Sequence, residues 1–155
     1  MFVGATLAGA AVINTGTKLF FARGRPEILT DPLTSFSMPS GHASGAFAFF
    51  LALAVLAGRG QPTRLRLTWM LLGCIPAAFI ALSRVYLGAH WPTDILAGTL
   101  LAMTLCAFSL TAIQYRSPLP AMSQKAWWLL LPAVVAVLGF IAFTGTPHAL
   151  LRYAY

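Results

Sequence analysis

Between residues 83 and 94 the chain sets Arg84, His90 and Asp94 at the edge of otherwise apolar sequence. A charged side chain near hydrocarbon costs on the order of several kcal/mol unless it is paired or faces a polar cavity, so such a cluster marks a candidate site. Upstream, Lys18, Arg25, Ser40, Gly41 and His42 stand at the ends of other apolar runs. Three cations, a hydroxyl and a helix start suit the oxygens of a phosphoryl group, because planar arginine forks and unpaired backbone N–H groups both bind them. Two histidines beside such a clamp suggest divided labour. One imidazole, oriented by a carboxylate, can attack phosphorus while the other protonates the departing oxygen. Asp94 distinguishes them: His90 has the carboxylate partner and reads as the nucleophile. His42, beside a helix N-terminus that disfavours a bound proton, reads as the acid. Lys18, Arg25 and Arg84 would then stabilise charge on the equatorial oxygens in the transition state.

These residues need elements that bring them together. With 59% hydrophobic and 8% charged residues, the chain departs from soluble domains, in which about a quarter of residues are charged. Apolar runs at 1–21, 43–58, 67–87, 95–113 and 126–143 are close to the roughly 17 to 25 residues that cross a bilayer as a helix. The expectation is an all-α, polytopic transmembrane bundle of about five spans. Alternating spans put the ends of the first and third runs and the starts of the second and fourth on one face. Ser40 is a natural N-cap for the second helix, although a plain capped helix start would give the same residues. Pro92 at the first helical position leaves His90 just before the fourth helix and Asp94 at its third position, from which a carboxylate can reach back and hold the imidazole N–H. Pro76 predicts a kink in the third helix.

The loop at 59–66 carries three arginines, and the next on that side carries Arg116 and Lys125, with no acid in either. Both are expected to be cytoplasmic by the positive-inside rule. Lys18, Arg23, Arg25, Arg84 and Arg152 match that number on the other side, but Lys18, Arg25 and Arg84 belong to the clamp and all three acids lie with them. The first run has no basic leader and reads as a span rather than a signal peptide. Net charge of +7 follows from loop arginines and lysines, so nucleic acid is not an expected partner. Cys74 and Cys106 read as core thiols and His148 as a surface or interfacial histidine. A metal site is the poorer use of His90 and Asp94: hard cations want more carboxylates than Asp94, Glu27 and Asp31, and the bases would repel a divalent ion. No cofactor is called for.

Lys18-x6-Arg25-Pro26, Pro39-Ser40-Gly41-His42 and Ser83-Arg84-x5-His90-x3-Asp94 resemble, complete and in order, the three motifs of the type 2 phosphatidic acid phosphatase superfamily. The superfamily includes lipid phosphate phosphatases, undecaprenyl-diphosphate phosphatases and the vanadium haloperoxidases. The resemblance implies a helical core shared with the haloperoxidases and a metal-independent phosphomonoesterase or diphosphatase acting on a lipid phosphate. His90 would form a phosphohistidine, Asp94 would orient it, His42 would be the acid, and Lys18, Arg25, Ser40, Gly41 and Arg84 would hold phosphate. Residues 1–115 are expected to form this catalytic membrane domain, and residues 116–155 an additional transmembrane helix with a short tail. The resemblance also implies helices before the first motif. The chain is therefore expected to be truncated, a domain of a larger membrane protein or a minimal member, with an oligomer as another way to complete the scaffold. The expected location is a bacterial inner membrane, with the site on the periplasmic face. The competing reading is a non-catalytic anion-binding subunit or transporter component; mere binding, however, has no need of His42, His90 and Asp94 together.

Overall fold

A computed structural model describes residues 1–27, 34–121 and 123 of the chain. The described residues form four helices: α1 (Phe2–Phe21), α2 (Gly41–Ala57), α3 (Thr63–Tyr86) and α4 (Pro92–Arg116). The apolar run at 126–143, with its proposed span, lies outside the described residues, as do Asp31, Lys125 and His148.

Helix boundaries follow local chemistry. The α1 chain turns off at Ala22, whose φ of 43° is left-handed and whose N–H donates to the Lys18 carbonyl. Ser40 caps α2, its hydroxyl accepting from the Ala43 N–H at 3.4 Å. Pro62 precedes α3, which begins at Thr63, so Arg64 and Arg66 lie on its first turns rather than in the loop expected at 59–66. Helix α3 continues through Pro76 to Tyr86. Gly88, at φ +67°, then turns the chain back; a side chain would be strained there, and this turn delivers Ala89 and His90. Trp91 is extended and Pro92 opens α4.

The most buried helix is α2, which packs against each of the other three. Its buried face, Ala43, Phe47, Ala48, Leu51 and Ala52, meets Ala77 and Ala81 of α3 and Ile95, Ala102 and Leu105 of α4. Small residues allow this closeness. At Gly98 the approach is closest, since a Cβ there would lie 2.6 Å from the Ser40 carbonyl and 3.2 Å from the Ala43 Cβ. Helices α3 and α4 have the length and apolarity to cross a membrane, and only 11% and 17% of their most apolar windows are buried. Leu71, Leu72, Ile75, Phe79 and Leu82 of α3 and Leu96, Leu100, Met103 and Phe108 of α4 instead face outward. That is the reverse of a soluble core helix and fits a lipid-facing surface.

Candidate active site

The end of α1, the start of α2, the end of α3 and the start of α4 meet, as the alternating topology requires. Their junction is held by backbone: the Ser40 N–H donates to the Asp94 carbonyl at 3.0 Å, joining the first turns of α2 and α4. From α1, the Asn14 amide donates to the Ser44 hydroxyl at 3.0 Å and to the Pro39 carbonyl at 3.4 Å, and Ser44 donates to the Gly41 carbonyl. The 39–42 segment is thus fixed from both sides.

His90 is buried in the turn between α3 and α4. Its backbone N–H and that of Ala89 both donate to the Arg84 carbonyl. Its Nδ1 lies 3.4 Å from Oδ2 of the fully buried Asp94, an oxygen that also accepts the Trp91 N–H at 2.9 Å. Its Nε2 lies 3.2 Å from Nη1 of Arg25. A guanidinium can only donate, so Nε2 is the acceptor and Nδ1 carries the proton, which it directs at Asp94. Burial, reinforced by the Arg25 charge and opposed by Asp94, lowers the His90 pKa to about 4. At neutral pH the ring is therefore uncharged, with its basic lone pair toward Arg25.

Arg25 is itself well anchored, with Nε donating to the Ser35 carbonyl, Nη1 to the Ala89 carbonyl and Nη2 to the Ser35 hydroxyl. Lys18 Nζ donates to the Phe36 carbonyl at 2.6 Å. His42 is exposed at the second position of α2, where the charges of Arg84, Arg25 and Lys18 all reach it. Of the expected residues, the structure brings His90, Asp94 and Arg25 into direct contact and ties in Ser40 and Arg84 through backbone. Lys18 and His42 are joined to the cluster by charge. The arrangement can present a neutral imidazole nitrogen to an electrophile within a cationic surround.

Sequence reasoning passed over Arg23, whose Nη1 is 3.0 Å from Oδ1 of Asp94 and also bonds the Thr93 hydroxyl. Its guanidinium sits 5.5 Å from the centre of the Trp91 ring, and Trp91 Nε1 donates to the Gly24 carbonyl. Asn14 was passed over as well, although an amide inside an apolar run is itself a signal.

Residues 1–118 match the PAP2 superfamily model. An undecaprenyl-diphosphatase of Sulfolobus acidocaldarius is 32% identical over 125 residues, covering 74% of this chain and 55% of the relative. Phosphatidylglycerophosphatase B of Bacillus subtilis is 33% identical over 100 residues, covering 61% and 48%. The chain spans about half the length of these curated relatives. The crystal structure of a transmembrane PAP2 type phosphatidylglycerolphosphate phosphatase from Bacillus subtilis superposes with a TM-score of 0.64 at 24% identity, covering 74% of this chain and 58% of that one. With three motifs converging in a helical junction and a family match over most of its length, the chain belongs to the PAP2 superfamily.

Proposed function

We propose that the chain is an integral membrane phosphatase that hydrolyses a lipid phosphate or diphosphate through a phosphohistidine. The observation that carries the reading is the orientation of His90, with Nδ1 toward Asp94 and Nε2 toward Arg25. In the first step Nε2 attacks phosphorus, a P–N bond forms and the P–O bond to the organic group breaks. His42 supplies the proton to the departing oxygen. In the second step water attacks phosphorus, His42 accepts its proton, the P–N bond breaks and inorganic phosphate leaves with His90 restored. Lys18, Arg25 and Arg84, with the Ser40–Gly41 helix start, hold the phosphoryl oxygens throughout. No metal takes part. Because Arg25 Nη1 occupies the direction of attack, the arriving phosphoryl group displaces that contact and takes up the guanidinium itself.

The four helices together with the apolar run at 126–143 would give five crossings, with residues 1–115 as the catalytic domain. Arg59, Arg64, Arg66 and Arg116 mark the cytoplasmic end, so the site faces the periplasm or exterior. The names of relatives favour polyprenyl diphosphate and phosphatidylglycerophosphate as substrates beside phosphatidic acid. The test is phosphate release by the detergent-solubilised chain from these three lipids, with and without EDTA. Release from at least one, unchanged by EDTA, is expected. A chain that binds vanadate, a mimic of five-coordinate phosphorus, yet releases phosphate from none is a binding protein instead.

A further inference from the structure

We propose that Arg23 is a positioning residue for the reaction, acting through Asp94 and not on the phosphoryl group; this rests on the phosphatase reading above. Asp94 is fully buried, and a buried carboxylate is costly unless its oxygens are satisfied. Its two oxygens have separate duties. Oδ2 accepts from the Trp91 N–H and faces His90 Nδ1, whereas Oδ1 is paired with Arg23 Nη1 at 3.0 Å. A carboxylate bonded at one oxygen to a fixed cation and at the other to a backbone N–H is held in one plane. An oxygen is therefore kept in place against the imidazole, and the proton of His90 is kept on Nδ1.

Arg23 is suited to this because it is fixed in turn. The Thr93 hydroxyl takes the same Nη1, and the Trp91 ring lies beneath the guanidinium. Its own carbonyl accepts the Ser37 N–H at 2.9 Å. Nη1 of Arg23 is committed to Asp94 and Thr93, whereas the His90 Nε2 that would meet substrate has Nη1 of Arg25 against it. The two arginines of the 23–25 segment thus divide the imidazole between them: Arg25 addresses the reacting nitrogen, and Arg23 the partner of the other nitrogen.

The test uses the full chain in detergent. Nitrogen-15 NMR of labelled histidine reports the His90 tautomer directly, with the signal assigned by its loss in His90→Gln. Wild type is expected to show one neutral tautomer, protonated at Nδ1. Arg23→Gln is expected to show a mixture of the two neutral tautomers, and Arg23→Lys, which keeps the cation, to retain the wild-type signature. In turnover of whichever of the three lipids is hydrolysed fastest, Arg23→Gln should lower kcat on the order of ten- to a hundredfold with KM and vanadate affinity within about twofold, as for other partners that orient a reacting imidazole. In an Asp94→Asn background the same change should add nothing further. An unaltered tautomer in Arg23→Gln, or a full additional loss in the Asp94→Asn background, overturns the proposal and leaves Arg23 as a staple between α1 and α4. If Arg23→Gln does not elute as folded protein, Arg23→Lys decides: loss of the single tautomer in a folded Lys variant contradicts a role resting on the cation. Should the wild type hydrolyse none of the lipids, the phosphatase reading fails while the NMR result still judges the positioning of His90.

Discussion

Nε2 of His90 and Nη1 of Arg25 meet at 3.2 Å, so a cation rests against the nitrogen proposed to attack phosphorus. The contact keeps the site cationic and adds to the burial that leaves its nucleophile uncharged. It also means that the clamp and the nucleophile are built as one unit, which a change in either should reveal.

His90→Ala should lower phosphate release at least about a thousandfold, since it removes the nitrogen proposed to take the phosphoryl group. Asp94→Asn should lower kcat by roughly a hundred- to ten-thousandfold, because an amide can present its N–H to Nδ1 and favour the wrong tautomer. Both are measured as phosphate release by protein that still elutes as a single species. Normal turnover in either variant would remove the mechanism.

The acid side of the pH profile follows from the burial of His90. A pKa near 4 leaves the imidazole neutral well below the usual histidine range, so kcat/KM should show no loss attributable to His90 until pH falls toward 4. Stability has its own sign. Unfolded His90 binds a proton below about 6.5 while the folded ring does not until about 4, so the unfolded state holds the extra proton between those values. Its contribution to folding is complete above about pH 6.5 and declines as pH falls toward 4. His90→Gln should flatten that part of the curve of thermal midpoint against pH.

Gly98→Ala tests the junction of α2 and α4. The new methyl would meet the Ser40 carbonyl at 2.6 Å and must push the helices apart. Overpacking of this kind costs about 1 to 3 kcal/mol, and it should stretch the Ser40 to Asp94 backbone bond. A drop in thermal midpoint together with a loss of activity is expected. Wild-type behaviour in both would mean that this close approach does not govern the site.

Much of this site could be read from residue types alone. Ser40 and Pro92 are strong local signals, and the structure places the cap and the first helical position where they imply. The His90–Asp94 contact follows from a spacing of four across that helix start. Arg23 could not be read in the same way, because in sequence it is one more base beside Lys18 and Arg25. Only the left-handed turn at Ala22 and the stacking on Trp91 aim it at Asp94. The closeness of Gly98 to Ser40 is likewise a tertiary fact, since a glycine in an apolar helix has many uses. That Arg64 and Arg66 are helical is not legible in sequence, because the helical start after Pro62 has few local markers beyond the proline itself.

The measurement that addresses the central claim most directly is rapid quenching of the wild-type chain during turnover of a phosphorus-32-labelled lipid phosphate, followed by peptide mapping. The label should appear transiently on the peptide containing His90, stable to base and released by acid as an N-phosphoryl group is, and its decay should match phosphate release. Turnover without any protein-bound label at times shorter than one cycle, or label on a different residue, would contradict His90 as the nucleophile.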